Sequence, residues 1–251
     1  MQHRTDIAES LAVVVPVHDE EATIAHLLDE LGHEVVAKHS SAVVIVVDDA
    51  STDSTPAILA RRAAEDPWLR VERSELNRGH GPTVGRGLDL AQSDWIFELD
   101  SDGQFVVSDF WSLWGRRTDA DVIVGIRTER HDPLHRLLLS RGVALLTSAL
   151  AVRRLRDPND PFRLVRREVW EDVRPFLPED VGPVHVLFLL GAVTRGWRVA
   201  EVPISHLPRA SGRSSLRLLS LARFCARGLW QLLTCRIALS AAGTRSGRRS
   251  P

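Results

Sequence analysis

A chain of 251 residues is long enough for one large domain or two small ones with a substantial core. Apolar residues at 44% and charged residues at 26% exclude wholesale disorder, and a net charge of −1 excludes a whole-molecule field that steers the protein to nucleic acid or lipid. Any anion site is therefore local, and the basic side is almost entirely arginine, because Lys38 is the only lysine.

The first half alternates strand and helix signals. "LAVVVPV" (11–17) and "AVVIVV" (42–47) are continuous β-branched runs, as expected for strands covered on both faces. Between them "DEEATIAHLLDELGHEVV" reads as a helix with acids in its first turn, and "STDSTPAILARRAAE" as a second helix opened by capping residues and Pro56. A short strand at 68–74, a helix at 82–92, a strand at 94–100 ("DWIFELD") and a strand at 121–127 follow. This βαβ progression predicts an α/β fold with a mainly parallel sheet. After residue 130 come a long apolar helix (133–152), a turn-rich piece (156–163), helices near 166–173 and 183–195, a strand at 197–206 and a last helix at 216–239.

Cys225 and Cys235 do not suggest a disulfide framework, and the simpler expectation is a reducing cytoplasm. The N-terminus lacks the apolar core of a signal peptide. No stretch reaches the roughly 18 apolar residues of a spanning helix, so the chain is not expected to cross a membrane by itself.

Three strand ends carry acids. Asp100 and Asp102 follow the strand 94–100, where ligands of open α/β sheets bind. Oxygen ligands suit Mg²⁺, which takes one or two carboxylates and completes its shell with water and substrate phosphates. Taken alone, Asp-x-Asp is a weak signal, and a capped turn is the plainer reading. "VVVPVHDEE" (13–21) and "VVDDASTDST" (46–55) add Glu20 and Asp49 at the same sheet edge; singly, these too read as helix-end and capping residues. Strand alternation turns Glu98 to the same side as Asp100 and Asp102, with no assigned role. His185 reads as a core or acceptor-cleft residue.

Together with "NRGHGPTVGRGLDLAQSDWIFELDSDGQF" and "EVPISHLPRASGRSS", these motifs resemble the family 2 glycosyltransferases, nearest to the dolichyl/polyprenyl-phosphate sugar transferases, from about residue 11 to 216. The resemblance implies a GT-A fold, a nucleotide-sugar donor (UDP- or GDP-sugar), Mg²⁺ or Mn²⁺, and inversion at the anomeric carbon. It assigns Pro16, His18, Glu20 and Asp49 to the nucleoside pocket. Asp100 and Asp102 go to the diphosphate and metal, with Gln104 beside them. "GIRTERHDPLHRLLLSR" resembles the segment that meets the acceptor phosphate, through Arg127, Arg136 and Ser140, and "PRASGRSS" a loop that closes over the phosphates, through Arg209 and Ser214. The chain departs from the family at His18 (usually aromatic), Pro161 (usually Gly) and Ser215 (often Lys).

An alcohol acceptor needs a base, whereas a phosphate monoester is already anionic and needs cations to bring it to a second anion. Asp157 reads either as that base or as a residue that holds the 156–163 turn or orients an arginine, the structural reading being preferred. The leading expectation is sugar transfer to a polyprenyl phosphate. The alternatives are a hydroxyl acceptor or a silent nucleotide-sugar-binding subunit. One catalytic domain (1–215) is expected, then an amphipathic helix (216–240) packed on it or at the membrane interface, then a loose tail (241–251). Peripheral contact with the cytoplasmic membrane face, or with a separate membrane protein, follows from the lipid acceptor; no nucleic acid partner is expected.

Overall fold

The structure is a computed structural model that describes residues 9–128, 134–207 and 218–243, with side chains over 9–128, 140–207 and 225–243. Seven strands form one sheet: β1 (Leu11–Val17), β2 (Ala42–Asp48), β3 (Leu69–Arg73), β4 (Trp95–Glu98), β5 (Val122–Arg127), β6 (Arg163–Arg166) and β7 (Val199–Ile204). Their spatial order is β3-β2-β1-β4-β6-β5-β7, parallel except where β6 runs against both β4 and β5.

The unbroken apolar runs of β1 and β2 have the predicted cause. Leu11, Val13 and Val15 enter one core layer, with α1 (Ile24–Glu34), α2 (Thr55–Glu65) and α4 (Phe110–Trp114). Ala12 and Val14 enter the other, with α3 (His80–Leu90), α6 (Arg167–Val173) and α7 (Val184–Thr194). Helix α3 lies close on β1 because Gly87 has no Cβ; one built there would fall 2.4 Å from Val14 Cγ1. Helices α5 (Leu134–Ala151) and α8 (Leu218–Ala242) complete the layer around α7, through Leu232, Cys235 and Leu239 of α8.

Two local expectations change. The acids at 19–21 precede α1 instead of filling its first turn, since the helix starts at Ile24. Strand β6 appears between the turn-rich piece read to 163 and the helix read from about 166. Its four residues are too few to show a period, yet Leu164 and Val165 enter opposite core layers. Its register sets Arg163 opposite Glu98. On α8 Gln231 is buried, accepts from Gly182 N–H and donates to Asp180 O, and the exposed Arg227 pairs with the Asp180 carboxylate. Leu232, Cys235 and Leu239 take the buried face of α8, while Trp230 and Ile237 stand 68% and 70% exposed.

Both cysteines are free, and ten residues of helix hold them about 15 Å apart, too far for a disulfide. Among the described residues, no helix is long and apolar enough to cross a membrane.

Candidate active site

Parallel pairing sets Val17 opposite Asp48 and Val14 opposite Glu98, so the loops after β1, β2 and β4 open on one sheet edge. There they enclose a cavity of about 380 Å³, lined by Pro16, His18, Glu20, Asp49, Asp100 and Asp102, together with Asn77, Gly79 and His80.

The first two loops brace each other. Asp19 N–H donates to Ser51 Oγ, Glu20 N–H to Thr55 Oγ1 and Glu21 N–H to Asp53 Oδ2; Thr52 and Ser54 N–H donate back to the carboxylates of Asp19 and Glu21. The acids therefore serve the neighbouring loop more than their own helix. Asp19 (φ +54°) and Ala50 (φ +57°) occupy the left-handed region, a local strain of the kind that clusters at functional sites.

His18 is fixed at both ring nitrogens. A carbonyl only accepts, so the 2.8 Å contact to Asp49 O places a proton on Nδ1. Nε2 then accepts from Asn77 Nδ2 at 3.0 Å, while Asn77 Oδ1 accepts from Gly79 N–H, which settles the amide orientation. The ring edge is used up and the faces remain for stacking. Asp49 accepts from Arg78 N–H and Gly79 N–H, each at 2.8 Å, and so shapes the turn that forms the far wall.

The Asp-x-Asp loop is tied to β1 through Ser101 Oγ, which donates to Pro16 O at 2.9 Å. Asp102 Oδ1 accepts from Gln104 N–H at 3.2 Å. Gln104 lies outside the cavity lining and exchanges hydrogen bonds with Leu207. Asp100 Oδ1 is buried without a hydrogen bond, 3.7 Å from His80 Nε2. A buried, unsatisfied carboxylate oxygen beside a second carboxylate fits a divalent cation. Among the described residues no group of three or more His, Cys, Asp or Glu side chains could hold a metal.

A second cavity of about 570 Å³ shares Gly79, His80 and Asp100 with the first and extends past Arg127, Asn159, Pro161 and His185 to Arg227. Gly81 closes its wall against the 181–182 backbone, where a Cβ would meet Val181 O at 1.9 Å. Arg127 Nε and Nη2 both donate to Asp157 Oδ2, at 3.0 and 2.8 Å, and Nε lies 3.1 Å from Asp160 Oδ2. One cation thus lies against two buried carboxyl groups. Burial pushes the Asp160 carboxyl up to about 8, Arg127 opposing and Asp157 adding to the rise.

Behind them Arg163, fully buried, donates to the carbonyls of Pro158, Asp160 and His185 and lies 3.8 Å from Glu98 Oε2. Glu98 Oε1 and His185 Nε2 are 2.5 Å apart. Burial raises the Glu98 carboxyl, but His185 and Arg163 outweigh it and hold the group below its ordinary value. Burial lowers the His185 imidazole, against the pull of Glu98, with Arg163 and His80 adding to the fall.

Six expected residues therefore line the first cavity and Arg127 the second, with Asp157 behind Arg127. Ser140 sits half-buried on α5 and lines neither. The Arg136 side chain, Arg209 and Ser214 lie outside the described residues. Asn77 and His80 were present in the quoted "NRGHG" motif without a role. The links of Glu98 to His185 and Arg163 left no sequence signal, because the partners are 87 and 65 positions apart.

Residues 12–173 match the family described as glycosyl transferase family 2. The undecaprenyl-phosphate 4-deoxy-4-formamido-L-arabinose transferase of Yersinia pestis (strain Pestoides F) is 25% identical over 230 residues, covering 90% of this chain and 67% of that protein. The Edwardsiella ictaluri (strain 93-146) enzyme of the same description is 26% identical over 228 residues, with the same coverage. Among solved structures, glucosyl-3-phosphoglycerate synthase from Mycobacterium tuberculosis with Mn²⁺, UDP and phosphoglyceric acid superimposes with a TM-score of 0.69 at 20% identity, covering 91% of this chain and 79% of that one. Its complex with Mn²⁺, UDP and glucosyl-3-phosphoglycerate gives 0.68 at 21%, covering 96% and 82%. At that identity the likeness shows the GT-A fold alone. The family match spans well over half of the chain, and the chain belongs to glycosyl transferase family 2 as a glycosyltransferase.

Proposed function

We propose that this glycosyltransferase moves a sugar from a nucleoside-diphosphate donor in the first cavity to a polyprenyl phosphate whose head group enters the second. The observation that carries the proposal is the meeting of the two cavities at His80 and Asp100. A donor diphosphate held there would present its anomeric carbon to an acceptor arriving from the other side. The UDP in the solved relatives and the undecaprenyl phosphate in the names of the curated relatives support the two substrate classes.

In this reading the face of His18 stacks on the base, and Pro16, Glu20 and Asp49 complete the nucleoside pocket. Asp100 and Asp102 hold a divalent cation, Mg²⁺ or Mn²⁺, which supplies charge neutralisation for the departing diphosphate. Two carboxylates with the substrate's own phosphates match the ligand habits of such an ion, and Mn²⁺ accompanies UDP in the solved relatives. Gln104 positions Asp102. Arg127 faces the acceptor phosphate with its guanidinium plane set by Asp157, so Asp157 is a positioning residue. Arg136, Ser140, Arg209 and Ser214 are proposed to complete the phosphate contacts, and residues 1–215 to form the catalytic unit. The outward apolar face of α8, followed by the arginine-rich 244–251 sequence, is proposed to rest on the membrane surface that carries the acceptor.

The test incubates purified protein with UDP- and GDP-sugars, Mg²⁺ or Mn²⁺, and a short polyprenyl phosphate in detergent. Lipid-linked sugar should form and disappear with EDTA and in Asp102→Ala. Donor binding without any lipid product would remove the acceptor assignment.

A further inference from the structure

One buried group has no part in that scheme. His185, 5% exposed, starts α7 and borders the second cavity. Carboxylate Glu98 only accepts, so the 2.5 Å contact puts the ring proton on Nε2. The other nitrogen, Nδ1, makes no hydrogen bond among the described residues. A ring oriented by a buried carboxylate, with its second nitrogen open beside a substrate cavity, is the arrangement of a general base. Asp157 is less suited to that task, because Arg127 donates twice to its Oδ2.

We propose that His185 is the proton acceptor of the acceptor side: Nδ1 takes the proton from the oxygen that attacks the sugar, while Glu98 holds the ring and balances the imidazolium formed. The inference rests on the acceptor lying in the second cavity, as above. The acceptor O–H bond breaks as its oxygen bonds to the anomeric carbon. The bond from that carbon to the diphosphate breaks, and its electron pair leaves with the nucleoside diphosphate. The proton on Nδ1 passes to water after product release.

The charged and titratable groups facing His185 are Glu98 from β4, Arg163 from β6 and His80 from α3, whose ring packs edge-on with centroids 5.4 Å apart. Arg78, Asp100, Arg127, Asp180 and Arg227 border the same cavity. Burial, with Arg163 and His80, keeps the free imidazole neutral at physiological pH and its Nδ1 open. The shared acceptor chemistry is an O–H, which an alcohol carries at every pH and a phosphate monoester only while it holds its last proton.

The experiment compares wild type and His185→Gln between pH 5 and 8 on a short polyprenyl phosphate and on the polyprenol of the same length. With the phosphate, whose second ionisation lies near pH 6, the variant should lose about tenfold in kcat/KM at pH 5 and stay within about twofold at pH 8, where the acceptor is already a dianion. With the alcohol it should lose at least about 100-fold throughout. A ratio near one at every pH on the acceptor that wild type uses overturns the proposal, and so does an equal loss at every pH on the phosphate. Should wild type glycosylate neither, the acceptor reading fails separately. The nitrogen-15 shifts of His185, assigned by difference from the variant, then decide this one. An Nε2–H tautomer is expected at pH 7.5, and an Nδ1–H tautomer refutes the base.

Discussion

The Asp157–Arg127–Asp160 cluster makes a prediction about stability that can be worked through. Asp160 is fully buried, with a carboxyl near 8 in the fold and near 3.8 when unfolded. A folded value raised above the unfolded one means that the native state holds a proton the unfolded chain gives up. The group's contribution is therefore whole below pH 3.8 and is lost as pH rises towards 8. Each pH unit in that window costs about 1.4 kcal/mol, or about 4 kcal/mol by pH 7 as an upper bound. Asp160→Asn keeps the shape and the acceptor for Phe162 N–H but cannot ionise. Its amide would face Arg127 Nε, a donor against a donor, which adds a cost that does not vary with pH. The slope is thus the clean observable. Urea unfolding of both proteins at half-unit steps from pH 5 to 8 should show the variant gaining on wild type by about 1.4 kcal/mol per pH unit. A difference that stays flat across the window refutes the argument, and would mean that Arg127 keeps both carboxylates ionised.

Three more outcomes follow from particular contacts. Asp49→Ala leaves the N–H groups of Arg78 and Gly79 without their acceptor, so titration calorimetry should show nucleoside-diphosphate affinity about tenfold weaker, with UDP and GDP compared. Gly87→Ala drives a methyl into Val14 and should cost about 1–3 kcal/mol, read as a Tm fall of about 2–4 °C for each kcal/mol. Trp230→Ser with Ile237→Ser removes two outward side chains, 68% and 70% exposed, and should leave the urea midpoint unchanged. The same pair should weaken co-flotation with phosphatidylglycerol vesicles at least about tenfold.

The sequence made visible what short-range physics controls. A β-branched run covered on both sides announces a parallel strand by itself, and acids just past such a run announce the ligand edge, because strand and loop are contiguous in the chain. This is why Pro16, His18, Glu20, Asp49, Asp100 and Asp102, from three separate loops, meet in one cavity. What stayed hidden depends on β6. Four residues, Arg163–Arg166, reverse the sheet between β4 and β5, and that reversal alone carries Arg163 to Glu98. No pattern in "PFRLVR" marks its arginine as a buried cation.

The partners of the α8 polar residues stayed hidden for a related reason. A helical polar stripe is ordinarily taken as the wet face. Here Arg227 and Gln231 satisfy the 180–182 segment, whose backbone lies against Gly81 and borders the second cavity. These two side chains are thus spent on shaping a cavity wall, and Trp230, Leu233 and Ile237 are left outside. If the acceptor is a lipid phosphate, one helix then does two jobs with opposite faces: its polar side steadies the cleft that receives the head group, and its apolar side meets the layer from which that head group comes. The paired serine variant separates these jobs, because it should lower turnover on vesicle-borne acceptor while sparing turnover on a short acceptor in detergent. Equal loss on both would place Trp230 and Ile237 in the support of the cleft and end the membrane reading of α8.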